Sequence, residues 1–191
     1  MGGKSTLSLI KADIDRYSSN PDYASRPFPK GNSVLAYFLR WLYFMIRGGC
    51  FRVIFLYRLG KLGKFLKIII RPPYGSTTII DCPNVVGGGI YFSHAWGTIL
   101  NCEHIGYGCA FLHNTTFGNI RLKDGRLVRP YLENNVHVGA NVIVIGDVHI
   151  GNNVKIGAGA VVTKNIPDNC TVVGNPARII VKDGVRVNIP L

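Results

Sequence analysis

The chain has 191 residues, of which 47% are hydrophobic and 17% charged, with 23 Gly and 10 Pro. That apolar fraction is too high for a disordered chain, and the length suits one domain with an extension. The net charge of +12 is regional: residues 1–71 carry thirteen basic and three acidic side chains, residues 72–117 only Asp81 and Glu103. One role cannot be assumed for all of this charge, and no nucleic-acid partner is expected. The five cysteines form no C-x-x-C pair, so neither a zinc ribbon nor a disulfide framework is implied. A reducing cytoplasm fits best, and the opening residues lack the pattern of a secretory signal.

In chain order, Leu7–Tyr17 reads as a short helix, followed by Pro-rich loop material through Pro29. Residues 34–71 are apolar and basic, with eight Lys or Arg and no Asp or Glu. They read as two helices broken at Gly48-Gly49, with no apolar run near the roughly 20 residues needed to span a bilayer. Two uses stay open for this stretch: packing on a partner subunit, or lying on an anionic membrane surface at the inner face of the cytoplasmic membrane. The helical region is bounded at residues 1–75 and the second domain at 76–191.

Within the second domain a six-residue apolar period appears: Leu132, Val138, Val144, Ile150, Ile156, Val162. Four residues further on, Val136, Val142, Val148, Val154, Ala160 and Ile166 repeat it, and Gly139, Gly151 and Gly157 hold a fixed phase. A helix would need a period near 3.6, and plain strand alternation a period of two. Six is the period of a hexapeptide parallel β-helix, three hexads to a coil. Val86, Phe92, Ile105, Phe111 and Phe117 continue it upstream, with one extra residue at a corner between 92 and 105. About four coils are expected over residues 78–170. The polar, basic segment 119–130 must loop out of them.

Register sorts the five histidines. His94 lies two residues past Phe92 and His113 two past Phe111, so both should stand on one face in adjacent coils. His137 and His149 fall on different faces, and His104 beside the bulge. A neutral imidazole suits proton abstraction from a hydroxyl, and a carboxylate beside it would fix its tautomer. Asp81 is the candidate, with a turn or capping role as the alternative. No two histidines are five residues apart, the spacing used by zinc carbonic anhydrases of this architecture, so no metal is expected.

Three segments carry a resemblance: Gly89–Gly97 (GIYFSHAWG), Phe111–Asn119 (FLHNTTFGN) and Val138–Ile179. They resemble the hexapeptide-repeat acyltransferases, and within them the serine O-acetyltransferases and the colanic-acid-type polysaccharide O-acetyltransferases. The resemblance implies an all-β core, a left-handed parallel β-helix behind an N-terminal α-helical extension. It implies a homotrimer, or a dimer of trimers through the N-terminal helices, and acetyl-CoA as acyl donor. By the same resemblance His94 is the catalytic base, Asp81 its orienting acid, and His113 a histidine found in many sugar-directed members. Gly139, Ala140, Gly157 and Ala158 would line the pantetheine groove; Thr163, Lys164 and Arg178 would hold the CoA end. Ser93 and Arg129 occupy acceptor positions where serine acetyltransferases carry an acidic residue and the His of Arg-His-Pro. Those departures favour a sugar hydroxyl over L-serine, with a non-catalytic trimeric scaffold as a third reading.

Overall fold

A computed structural model describes residues 5–21, 29, 31–70, 77–84 and 86–191. The expected domain boundary at 75/76 lies outside these residues. Helix α1 (Thr6–Ser18) starts at Ser5, whose hydroxyl accepts from Ser8 N–H, and α2 (Val34–Arg47) starts likewise at Ser33. Side-chain caps of this kind satisfy amides that the first helical turn leaves open. Gly48 ends α2, and α3 (Gly49–Arg58) follows. The stretch expected to form two helices forms three, because a second break falls at Leu59-Gly60, where Gly60 takes a φ of 55°. Helix α4 (Gly60–Leu66) then rests on α3 through Gly63; a Cβ there would lie 1.8 Å from the Leu56 carbonyl oxygen.

The second domain is a left-handed parallel β-helix with three faces. The first face stacks β1 (Ile79–Ile80), β3 (Ile99–Leu100), β6 (Thr116–Gly118), β11 (Ile143–Ile145) and β14 (Val161–Val162). The second stacks Val86, β4 (His104–Ile105), β9 (Tyr131–Leu132), β12 (His149–Ile150) and Ile166. The third stacks β2 (Tyr91–Phe92), β5 (Ala110–Phe111), β10 (His137–Val138), β13 (Lys155–Ile156) and β15 (Cys170–Val173). Each face thus has five levels among the described residues, one more than the four coils expected from the period. Antiparallel β16 (Arg178–Lys182) and β17 (Val185–Pro190) extend the third face at its far end. Residues 119–130 do leave the coil, as a hairpin of β7 (Ile120–Arg121) and β8 (Leu127–Val128).

Two-residue strands put one side chain inside and one outside, which is why the apolar period is six. The inward column of the third face runs Phe92, Phe111, Val138, Ile156, Val172, all buried. Phe92 stacks on Phe111 at 5.7 Å, and Phe111 meets Phe117 edge-on at 5.8 Å, so aromatic rings fill the end nearest the helices. The corner from second to third face needs a left-handed residue at every level. Gly89, Gly108, Asn135, Asn153 and Asn169 supply it, with φ between 57° and 72°. Asn135, Asn153 and Asn169 also bond side chain to side chain up the stack, at 3.2 and 2.9 Å.

A stack of parallel strands leaves backbone groups open at its first level, and α1 and α3 close that end. Asp13 Oδ1 accepts from Ile90 N–H at 2.9 Å, and the Tyr17 hydroxyl accepts from Phe92 N–H at 3.1 Å. Arg58 donates to the carbonyls of Val86 and Gly87 and, through Nε, to Asp13 Oδ2 at 2.9 Å. Both charged side chains are buried, and burial pushes the Asp13 carboxyl up despite the guanidinium beside it. Breaking a buried pair by removing one partner strands the other charge. Arg58→Ala is therefore expected to cost about 3–5 kcal/mol in urea unfolding, and Lys at that position is expected to recover only part, lacking the planar fork.

Candidate active site

The corner from third to first face is built from four residues in the second level, Leu112–Thr115, but from six in the first, Ser93–Thr98. His94 sits in that enlarged corner with a φ of 54°. A left-handed non-glycine residue costs of order 1–2 kcal/mol, and such strain concentrates at functional sites. Gly97 (φ 63°) stacks directly on Asn114, and a Cβ on it would lie 2.2 Å from Asn114 Oδ1. The regular left-handed position of this corner is thus Gly97, and His94 is additional to it.

The expected pairing of imidazoles is present. His94 and His113 stand 6.3 Å apart, edge to face, with Trp96 in contact with both at 5.6 and 5.4 Å. Ser93 Oγ lies 3.1 Å from His94 Nδ1, which fixes the ring; with Nδ1 protonated, Nε2 keeps a free lone pair. His113 Nδ1 is buried without a hydrogen-bond partner, which leaves it available to a bound polar group. Beneath the corner, Ala95 is fully buried; its N–H points to Cys50 Sγ at 3.5 Å and its carbonyl accepts from Thr78 Oγ1. Burial pushes the Cys50 thiol up, so it serves as a neutral, weak acceptor.

A groove of about 260 Å³ runs along the third face beside this corner, lined by Leu112, His137, Gly139, Lys155, Gly157 and Thr171. Gly139 cannot carry a side chain: a Cβ would lie 2.6 Å from Ala158 N of the next coil. Its glycine is demanded by coil stacking itself, not only by the close approach of a ligand. Ala140 and Ala158 follow at the same corner, with the Ala140 carbonyl accepting from Gly159 N–H at 2.9 Å. At the far end, Lys164 Nζ donates to the Leu191 carbonyl at 2.8 Å, while Arg178 pairs in register with Pro190. Lys164 and Arg178 therefore converge on the end of β17. Thr163 is exposed beside Lys164.

Asp81 and Arg129 are not brought to His94 within one chain. Ile79 pairs with Ile99, the first strand residue after the His94 corner, so Asp81, past the end of β1, lies at the opposite edge of the first face. There it lines a cavity of about 230 Å³ with Tyr57, Lys64, Lys67 and Cys82. Burial pushes the Tyr57 hydroxyl up to about 12. The expectation that Asp81 holds the His94 imidazole is corrected: Ser93 is the group on that nitrogen. Arg129 sits at the base of the hairpin, its Nε buried and unpaired, at the same distant edge as Cys82 and Cys102.

Three residues that were not among the expected site residues lie at the candidate site: Trp96 and Cys50 at the His94 corner and His137 in the groove. His137 faces the groove one residue before Val138, in the register of Lys155 and Thr171, a position the hexad phase could have flagged. Burial first, then Arg16 and Lys155, push its imidazole down, so it is neutral in the groove. His104, Tyr131 and His149 instead form a separate ladder on the second face, at 4.5 and 5.1 Å.

Residues 129–164 match the model of the bacterial transferase hexapeptide (six repeats). A serine acetyltransferase of Synechococcus elongatus is 41% identical over 104 residues, 54% of this chain and 42% of that protein. Escherichia coli WcaB, whose name assigns it to colanic acid biosynthesis as an acetyltransferase, is 38% identical over 101 residues, 52% of this chain and 61% of its own. The crystal structure of Neisseria gonorrhoeae serine acetyltransferase in complex with serine superposes with a TM-score of 0.62 at 28% identity, covering 92% of this chain and 69% of that one. The chain spans about half the length of the curated relatives it matches. The resemblance to hexapeptide-repeat acyltransferases is borne out.

The enlarged corner yields a direct check. Gly97→Ala adds strain at a positive φ and a clash with Asn114, and is expected to cost roughly 1–3 kcal/mol in chemical unfolding.

Proposed function

We propose that the protein is an acetyl-CoA-dependent O-acetyltransferase. The observation that carries this reading is the His94–Trp96–His113 corner beside the groove of the third face. The pantetheine arm lies along Gly139, Ala140, Gly157 and Ala158, with Thr163, Lys164 and Arg178 toward the phosphates. His94 Nε2 takes the proton of the acceptor hydroxyl as its oxygen attacks the thioester carbonyl. The C–S bond breaks, and the CoA thiolate leaves and recovers that proton, giving an acetyl ester and free CoA. The unpaired His113 Nδ1 bonds the acceptor or the developing oxyanion.

The working unit is a trimer. The outer residues of the first face, among them Ile79, Ile99, Ile143 and Ile145, are 37–49% exposed and form an apolar stripe that a monomer leaves in water. A closed ring around that face puts the His94 corner of one subunit beside the opposite edge of its neighbour. That edge carries Arg129 and the β7–β8 hairpin, so residues separated within the chain meet between chains. A cytoplasmic location agrees with an acetyl-CoA donor; among the described residues no helix is long and apolar enough to cross a membrane.

A sugar hydroxyl is the favoured acceptor, because Ser93 offers no negative charge to an ammonium group and Arg129 stands in a run lacking the serine-type His. L-Serine is the second reading, supported by the name most relatives carry. A thiol-release assay offering L-serine and a panel of sugars separates them: turnover of sugars is expected, and turnover of L-serine alone overturns the glycan reading. His94→Ala is expected to lower turnover by ~10²–10⁴ with acetyl-CoA binding retained. Failure of acetyl-CoA to bind in calorimetry would instead favour a scaffold. Shared sites predict complementation: co-expressed His94→Ala and Arg129→Ala chains should regain activity that neither shows alone, because one trimer interface can join an intact His94 to an intact Arg129.

A further inference from the structure

We propose that the outer surfaces of α2 and α4 form a docking surface for an anionic lipid bilayer, held in the plane of its headgroups. The inference stands apart from the acetyl-transfer reading. On α2 the residues Leu35, Phe38, Leu39, Leu42 and Ile46 are exposed, at spacings of three and four that set them on one face. Leu35 and Ile46 are 65% and 63% exposed, in a helix whose opposite side is buried through Ala36, Arg40 and Phe44. Helix α4 and the turn after it expose Leu62, Phe65, Ile68 and Ile69, and its buried residue is Gly63. An apolar stripe of this kind along one helix face marks an interaction site rather than ordinary exposure.

The cations decide the partner. Of the eight basic residues in the segment, Arg40 and Arg58 are turned inward onto Asp15 and Asp13. Arg47, Lys61, Lys64 and Lys67 are exposed, and the last three alternate with the apolar residues of α4 and its turn. No Asp or Glu occurs between Asp22 and Asp81; Asp81 itself shares a cavity with Lys64 and Lys67, and that single carboxylate leaves the cations of this stretch in excess. A second copy of the same surface would set an excess of cations against an equal excess, with Asp81 the one acid near Lys64 and Lys67. An anionic bilayer supplies the missing charge, while long Lys stems run over the apolar residues and lift their ammonium groups to the phosphates. Helix α2 has 14 residues, about 21 Å at 1.5 Å each, too short to cross and long enough to lie in the interface.

Co-sedimentation of the full chain with phosphatidylglycerol-containing and pure phosphatidylcholine vesicles tests this. Recovery with the anionic vesicles at low salt is expected, with little on phosphatidylcholine and a fall as salt rises. Combined Lys61→Glu, Lys64→Glu and Lys67→Glu is expected to lower the partition coefficient about tenfold or more, and Phe38→Asp with Leu42→Asp to lower it independently. Acetyl-CoA binding, measured on every variant, reports folding and the separate acetyl-transfer reading. No recovery on anionic vesicles by a chain that binds acetyl-CoA overturns the proposal, as does equal recovery on both lipids. A larger assembly that Phe38→Asp splits, without vesicle binding, assigns the surface to a second copy instead.

Discussion

Everything in this molecule depends on closing the first level of the β-helix. A parallel coil satisfies its backbone only by having another coil on each side, and the first level has a neighbour on one side alone. Asp13, Tyr17 and Arg58 bond Ile90 N–H, Phe92 N–H and the carbonyls of Val86 and Gly87, groups that a preceding coil would otherwise bond. Each such group left buried and unpaired costs about 1–3 kcal/mol. Four together approach the whole net stability of an ordinary domain, about 5–15 kcal/mol. The helical region is therefore a cap, and the β-helix would not keep its first level without it.

That cap also sets the site. The same Phe92 whose backbone bonds Tyr17 leads into Ser93 and His94, and Ala95 rests on Cys50 at the start of α3. The left-handed His94 persists because both ends of its corner are fixed, by the helices on one side and by Gly97 on Asn114 on the other. The proposed catalytic corner thus sits where the regular period is broken, in the level with the most support outside the coil.

Period and register were legible from the residues because a two-residue strand leaves one inward position in six, and that position tolerates only apolar side chains. The stacking of His94 on His113 followed from the same count. What the count could not reach was any contact between a helix and the coil: Asp13 meets Ile90 across 77 residues with no periodic trace. Asp81 failed for a related reason. Asp81 and His94 both belong to the first coil, but Asp81 follows β1 at the corner from first to second face, whereas His94 follows β2 at the corner from third to first face. The number of coils was undercounted because the period was read from Val86 to Ile166, which leaves out β1 (Ile79–Ile80) and β15 (Cys170–Val173) at the two ends of the stack.

The basic charge of the helical region divides by side-chain geometry rather than by position. A guanidinium fork can satisfy several acceptors at once, so Arg40 bonds Ala36 O, Asp15 and the Gly31 carbonyl, and Arg58 bonds Asp13 and two carbonyls of the first coil. An ammonium is a compact, strongly hydrated charge that loses more by burial, and Lys61, Lys64 and Lys67 all stay in water. A net charge summed over the sequence merges these two populations. Only the arginines that fasten the cap are part of the fold; the lysines left outside form the part of the charge that an external partner can meet.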